Sequence, residues 1–323
     1  MGKDVKDRGI NGSRYIFYVF LFFFSMAATG IITEVFNDNE NRYKIRLGKF
    51  GNDSEEEDCR ENDGITKAIS NNAYISNDDR LYESRADVPT VKKFLVSALE
   101  PVGNTLYVYG GGWNEDDSGA GTEALSYGVS PRWKEFFDEN DKDYDFEDTK
   151  YQIHDGLDCT GYVGYVTYQT FGDTFSDKGY VFPSKDMVYK YADIFGGTVV
   201  RNDSVTKYYP GDIMGTDGHV FIVIGECDDG SLLFVHASPP VVSLCGTKTP
   251  EGNPNSEAIN LAQKYMAKFY PESYGRYMSY IRDTDFLENY DQMHWSRSIL
   301  ADPDGYNDMT PEEIMMNLFE SKE

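Results

Sequence analysis

The sequence predicts an α+β fold, an antiparallel sheet packed against one central helix with more helices after it, on three observations. His219 to Gly225 and Ser231 to Ala237 are near-continuous apolar, β-prone runs on either side of Asp228-Asp229-Gly230. Runs of that kind about a Gly/Asp turn make a hairpin buried on both faces. Tyr162 to Phe171 reads as a short helix that opens just behind Cys159 and stops at Gly172. Beyond Gly246 the texture turns helical. Ser256 can cap a stretch whose Ile259, Ala262, Met266, Phe269 and Tyr270 share a face, and Thr310-Pro311-Glu312-Glu313 is a cap, a first-position proline and a capping box.

In chain order, Lys3, Lys6, Arg8 and Arg14 precede an uncharged run from Tyr15 to Thr33. That length stands between a signal-peptide core and a membrane span, and the leading positive charge favours export of the chain beyond the run. Residues 1–36 are therefore expected to be a signal peptide or an N-terminal membrane anchor, with the remainder secreted or membrane-anchored outside the cytoplasm. Residues 37–90 read as a polar spacer and lead-in, with the acidic run Glu55-Glu56-Glu57-Asp58 and a short strand over Arg42–Phe50. Thr90 to Leu99 enters a helix with Val91, Phe94, Leu95 and Ala98 on one face. The main domain is expected over 91–245, with an insertion at 113–153 that contains a short helix near Pro131–Phe137. A helix is expected near Pro183–Phe195 and a third strand from Val241 to Leu244; residues 246–323 are expected to form a helical C-terminal extension.

A chain of 323 residues with 40% hydrophobic residues, 25 Tyr and 20 Phe has ample material for a core. Its net charge of −25 argues against nucleic acid and anionic membrane surfaces as partners. The four cysteines, Cys59, Cys159, Cys227 and Cys245, form no Cys-x-x-Cys pair and the four histidines are scattered, so no zinc site is expected. Cys227 and Cys245 fall where one end of a small sheet would admit a disulfide. The acidic cluster from Asp138 to Asp148 lacks the central glycine and closing glutamate of a calcium loop and reads as a solvated insertion. No metal or cofactor is expected.

The chemistry centres on Asp155-Gly156-Leu157-Asp158-Cys159-Thr160-Gly161-Tyr162-Val163. A loop that delivers a cysteine to the first turn of a helix sets its sulfur against unsatisfied N–H groups, which favour thiolate over thiol. A nucleophile needs a base, and the base needs something to fix its tautomer. His219 and His236 lie on the two hairpin strands. A four-residue loop centred on Cys227–Asp228 would set them directly opposite one another; a tight Asp229–Gly230 turn would keep them on one face but slip them four residues apart. Taken singly each residue has a plain reading: a strand histidine in a core, a cysteine as a small hydrophobe, Asp212 of Pro210-Gly211-Asp212 as a turn former. The combination favours Cys159 as nucleophile, His219 as base and acid, His236 as its orienting partner, and the helix-start amides as oxyanion donors.

Five segments then carry a resemblance. Leu106-Tyr107-Val108-Tyr109-Gly110-Gly111, Leu157-Asp158-Cys159-Thr160-Gly161-Tyr162-Val163, Pro210-Gly211-Asp212-Ile213, His219-Val220-Phe221-Ile222-Val223 and Phe234-Val235-His236-Ala237-Ser238 resemble, in that order, the NlpC-type papain-like cysteine peptidases of bacterial cell walls. The resemblance implies a papain-like α+β domain with Cys159, His219 and His236 as the triad. It also implies Tyr107, Asp158 and Thr160 in the substrate cleft, no metal, and hydrolysis of the γ-D-glutamyl to diamino-acid bond of peptidoglycan stem peptides. A cell-wall amidase with the same triad, or a non-catalytic binding protein on this fold, are the alternatives. The chain departs from the family in the long stretch between glycines and cysteine, in Tyr109 and Thr160, and in Phe221, which is expected to narrow the cleft. His154 matches nothing in the family.

Overall fold

The computed structural model describes residues 31–37, 43–49, 89–278, 282–283 and 289–320. Contacts divide the chain between Tyr74 and Ile75. Of the first unit two strands are described, β1 (Ile31–Asn37) and β2 (Tyr43–Lys49), antiparallel from Ile31 opposite Lys49 to Asn37 opposite Tyr43. β2 falls within the strand expected over Arg42–Phe50, and β1 takes in the last residues of the uncharged run. The rest of the expected leader, the acidic run at 55–58 and Cys59 lie outside the described residues. Among the described residues no helix is long and apolar enough to cross a membrane.

The second unit is mixed α+β. Its helices are α1 (Val91–Leu99), α2 (Pro131–Glu139), α3 (Cys159–Phe171), α4 (Ser184–Phe195), α5 (Glu257–Phe269), α6 (Pro271–Tyr277) and α7 (Pro311–Glu320). Their ends follow local chemistry. The Thr90 hydroxyl accepts from the Lys93 amide at the start of α1, and Ser256 accepts from Ile259 at the start of α5. Before α7 the Thr310 amide donates to Glu313 Oε2 at 2.8 Å while the Glu313 amide donates back to Thr310 Oγ1 at 3.3 Å, a complete capping box. α4 ends on Gly196 in the left-handed region, where glycine carries no Cβ penalty.

The strands are β3 (Thr198–Val200), β4 (Ile213–Gly215), β5 (Val220–Glu226), β6 (Leu232–Ser238), β7 (Val241–Thr247), β8 (Arg282–Asp283) and β9 (Asp291–His294). They form one sheet in the order β3-β9-β4-β5-β6-β7-β8, antiparallel except for the parallel pair β7 and β8. Both faces are covered, as the unbroken apolar runs of β5 and β6 require. Ile213, Ile222, Val235 and Leu244 join α1, α3, α4 and α5 in the main core. Met214, Phe221, Val223, Phe234, Cys245 and Tyr290 form a second cluster on the opposite face.

Two expectations need correction. The C-terminal extension is not purely helical: it supplies β8 and β9, and β9 is inserted between β3 and β4, with Met293 opposite both Val199 and Ile213. Asp212 fixes that insertion. Fully buried, its carboxylate accepts from the Tyr209 amide (2.9 Å) and Gln292 Nε2 (2.6 Å) and meets His294 Nδ1 at 2.8 Å. The hairpin register also differs from both versions expected. A turn over Cys227–Gly230, with the Cys227 amide bonded to Ser231 O and Gly230 left-handed, gives a three-residue loop. Glu226 then faces Leu232 and Gly225 faces Leu233, but beyond a bulge at Ile224 the pairing becomes Val223 with Phe234 and Ile222 with Val235. Extended inward without that bulge, the turn's register would put His219 and His236 on opposite faces, because a one-residue slip reverses every side chain. The bulge restores the shared face and sets the two as diagonal neighbours rather than directly opposite.

Candidate functional site

α3 is buried on nearly every side; of its residues only Tyr168 is left partly exposed. Tyr162 Oη donates to Ala98 O at 2.7 Å, and Gln169 exchanges two 2.7 Å bonds with Ser126 O and the Gly128 amide. These bonds hold the helix, and with it Cys159 at the helix start, in place. Asp158 is the N-cap: its Oδ1 accepts from the Gly161 amide at 2.6 Å and from Thr160 Oγ1 at 2.9 Å. Thr160 in turn accepts from Trp113 Nε1 at 2.8 Å. Asp158 and Thr160, expected in the substrate cleft, thus also hold the helix start together.

Close approach explains two of the glycines ahead of Trp113, since a Cβ on Gly111 would stand 2.4 Å from Gly156 O and one on Gly112 2.6 Å from Gly161 Cα, while Gly110 has a left-handed φ of 83°. Asp158 N donates to Gly111 O at 2.9 Å, and a Cβ on Gly161 would stand 1.9 Å from that same carbonyl oxygen. Only glycine permits the glycine loop to lie on the first turn of α3. Tyr107 bridges Leu157 in parallel, its ring is edge-on to Phe146 at 5.5 Å, and its phenol is pushed up by burial and by Cys159 and Asp158, which places it in their shared surroundings.

Cys159 is 8% exposed. Its thiol lies against the amides of Val220 and Thr160 and its own, each of which favours the thiolate. Burial outweighs them: with the adjacent Asp158 carboxylate it pushes the thiol up to about 12. The expected resting thiolate is therefore corrected to a thiol. The contact with Val220 brings the start of β5, and so the backbone next to His219, onto the sulfur. Among the described residues no hydrogen bond joins Cys159 to either imidazole. The two imidazoles do meet, His219 Nε2 to His236 Nδ1 at 2.9 Å. Burial lowers His219 to about 4 and, with its histidine neighbour, lowers His236 well below its ordinary value, so both rings are neutral.

Phe221, expected to narrow the cleft, is fully buried with Met214, Phe234 and Tyr290, its ring centroid 6.4 Å from that of His219. Cys227 and Cys245 do not form the disulfide that the sequence would admit. His154 bonds Glu123 at 2.8 Å and lines a cavity of about 300 Å³ with Gly110, Trp113, Asn114, Asp117 and Tyr151. Trp113, which ties this insertion to Thr160, was signalled in the sequence only by its place after the glycines. Cys245, whose Sγ lies 3.4 Å from His236 Nε2, had no sequence signal beyond its alternation along β7. No protein-family model, curated protein or solved structure matches this chain.

Proposed function

We propose that this protein is a papain-like, NlpC-type cysteine peptidase that hydrolyses the γ-D-glutamyl to diamino-acid bond of peptidoglycan stem peptides, exported or anchored so that its catalytic domain acts outside the cytoplasm. The observation that carries this reading is Cys159 at the capped start of a buried helix, touching the amide beside His219, with His219 bonded to His236 at 2.9 Å. Since His219 Nε2 faces His236, Nδ1 is the nitrogen that would take the thiol proton. Sulfur then attacks the amide carbon, and backbone amides at the helix start stabilise the oxyanion. Collapse expels the amine, which takes its proton from His219; water, deprotonated by the same ring, cleaves the thioester and restores the thiol. Beginning from a neutral pair, the proton passes from Cys159 to His219 as the sulfur attacks the amide carbon. The acidic residues Glu115 and Asp117 at the neighbouring cavity suit the free amine of a diamino acid.

The second reading is a binding protein on this fold, favoured by the missing thiol–imidazole hydrogen bond. Mass spectrometry of purified wall peptides incubated with the wild type and with Cys159→Ala separates the two. Fragments cut at one amide bond by the wild type alone are expected, and the bond identified distinguishes endopeptidase from amidase. No fragments, or the same fragments from both proteins, would remove the peptidase reading.

A further inference from the structure

We infer that the cavity built by the insertion is a subsite for a free side-chain ammonium on an aliphatic stem, so that substrates whose side-chain amine is acylated are rejected. This rests on the peptidase reading for the source of the ligand, though not for its binding. The cavity, of about 300 Å³, shares a wall with the start of α3. Two of its lining residues also hold the positions on either side of Cys159. The Gly110 amide lies against the Asp158 carboxylate, and Trp113 Nε1 donates to Thr160 Oγ1 at 2.8 Å. A ligand in the cavity thus rests on the same loop that seats the cysteine.

The lining selects for charge and for a stem. Trp113 and Tyr151 supply aromatic rings, whose π systems attract a cation, and Glu115 and Asp117 supply two carboxylates. Neither lysine nor arginine is among the lining residues. His154 is backed by the Glu123 carboxylate at 2.8 Å, so a protonated ring adds no net positive charge. Lys150 is engaged elsewhere, bonded to Glu147 with its Nζ 5.9 Å from the Tyr109 ring centroid. Ile153 offers apolar contact for methylene groups. A bare metal ion fits this lining poorly. Among the described residues, Glu115, Asp117 and His154 do not bring their ligand atoms within 4.8 Å of one another. Tyr151 is 69% exposed with a left-handed φ of 66°, its ring edge-on to Tyr109 at 5.5 Å. That backbone costs a tyrosine stability, and contact with a cation gives the exposed ring a use.

The test is titration of the full chain with Nα-acetyl-lysine amide, its Nε-acetylated derivative and alanine amide. Binding is read from the indole N–H resonance of Trp113, assigned by its loss in Trp113→Phe. The lysine amide should shift that resonance saturably. The Nε-acetylated derivative, which lacks the charge, and alanine amide, whose amine sits on the α-carbon, should each bind about tenfold more weakly or worse. Glu115 and Asp117 are exposed, so Glu115→Gln combined with Asp117→Asn should keep the fold and weaken the lysine amide about tenfold. Tyr151→Gly, which relieves the left-handed backbone, should weaken it about threefold without lowering the melting temperature. Acetylating the side-chain amines of wall peptides should raise KM with little change in kcat. Equal shifts from all three ligands, no shift from any, or affinities unmoved by these substitutions would overturn the inference. Lysine-amide binding without peptide cleavage would support the subsite and count against the peptidase reading alone; cleavage without lysine-amide binding would count against the subsite alone.

Discussion

Cys159 and His219 are driven to their neutral forms by the same cause, loss of hydration, which raises an acid and lowers a base. The helix-start amides that sequence reasoning credits with making a thiolate are present, but three partial charges do not replace a hydration shell. His219 has a consequence for stability. The unfolded chain takes up its proton as the pH falls through about 6.5, the ordinary histidine value. The folded protein takes it up only near 4, so stability is lost as the pH falls through that window. The loss is at most about 3 kcal/mol, less what solvent screens at the half-buried ring. Asp158, raised by burial to about 6, has the opposite sign: the unfolded chain releases its proton first, so stability is lost as the pH rises from about 4 to 6. The two slopes oppose each other in the wild type, and substitution separates them. In denaturant titrations, His219→Gln should gain on the wild type between about pH 7 and pH 4.5. An equal stability gap at both values would contradict the assignment.

Between elements, the site depends on a glycine loop lying on the first turn of α3 and on one bulge in β5. The loop contact has no slack, since a Cβ on Gly161 meets Gly111 O at 1.9 Å and one on Gly112 meets Gly161 Cα at 2.6 Å. Gly161→Ala should therefore cost about 3 kcal/mol, because backbone rather than a side chain must move. Gly128, with a left-handed φ but nothing within 4 Å of its would-be Cβ, is the control: Gly128→Ala should cost about 1 kcal/mol from backbone conformation alone. Thermal melts compare them, and equal losses would show that the loop contact is not the constraint.

Across the whole molecule, the C-terminal segment is part of the sheet rather than an appendage. β9 carries the only pairing of β3 among the described residues and covers the edge of β4, while Asp212 binds Gln292 and His294 across that join. A chain ending at Cys245 would leave a buried carboxylate without those partners, which is costly in a dry interior. It should show no cooperative unfolding transition by circular dichroism. A sharp transition from that truncation would mean that residues 91–245 fold without the rest.

The elements were legible in the sequence where local chemistry is sufficient. Thr90, Ser256 and the Thr310–Glu313 box mark helix starts because caps act within one turn, and the runs about Asp228-Asp229-Gly230 mark a buried hairpin because alternation is absent. The pairing of His219 with His236 was also readable as a shared face, although the register that achieves it was not. A bulge such as Ile224 leaves no mark in composition, and β9 at four residues is shorter than any periodicity. The charge states were beyond the sequence for a different reason. A pKa depends on how much water the folded chain excludes around a group, and Cys159, His219 and Cys245 acquire their surroundings from strands and helices remote along the chain. Sequence by itself determined which groups are present and which short segments carry them; tertiary structure decided their register, their hydration and therefore their protons.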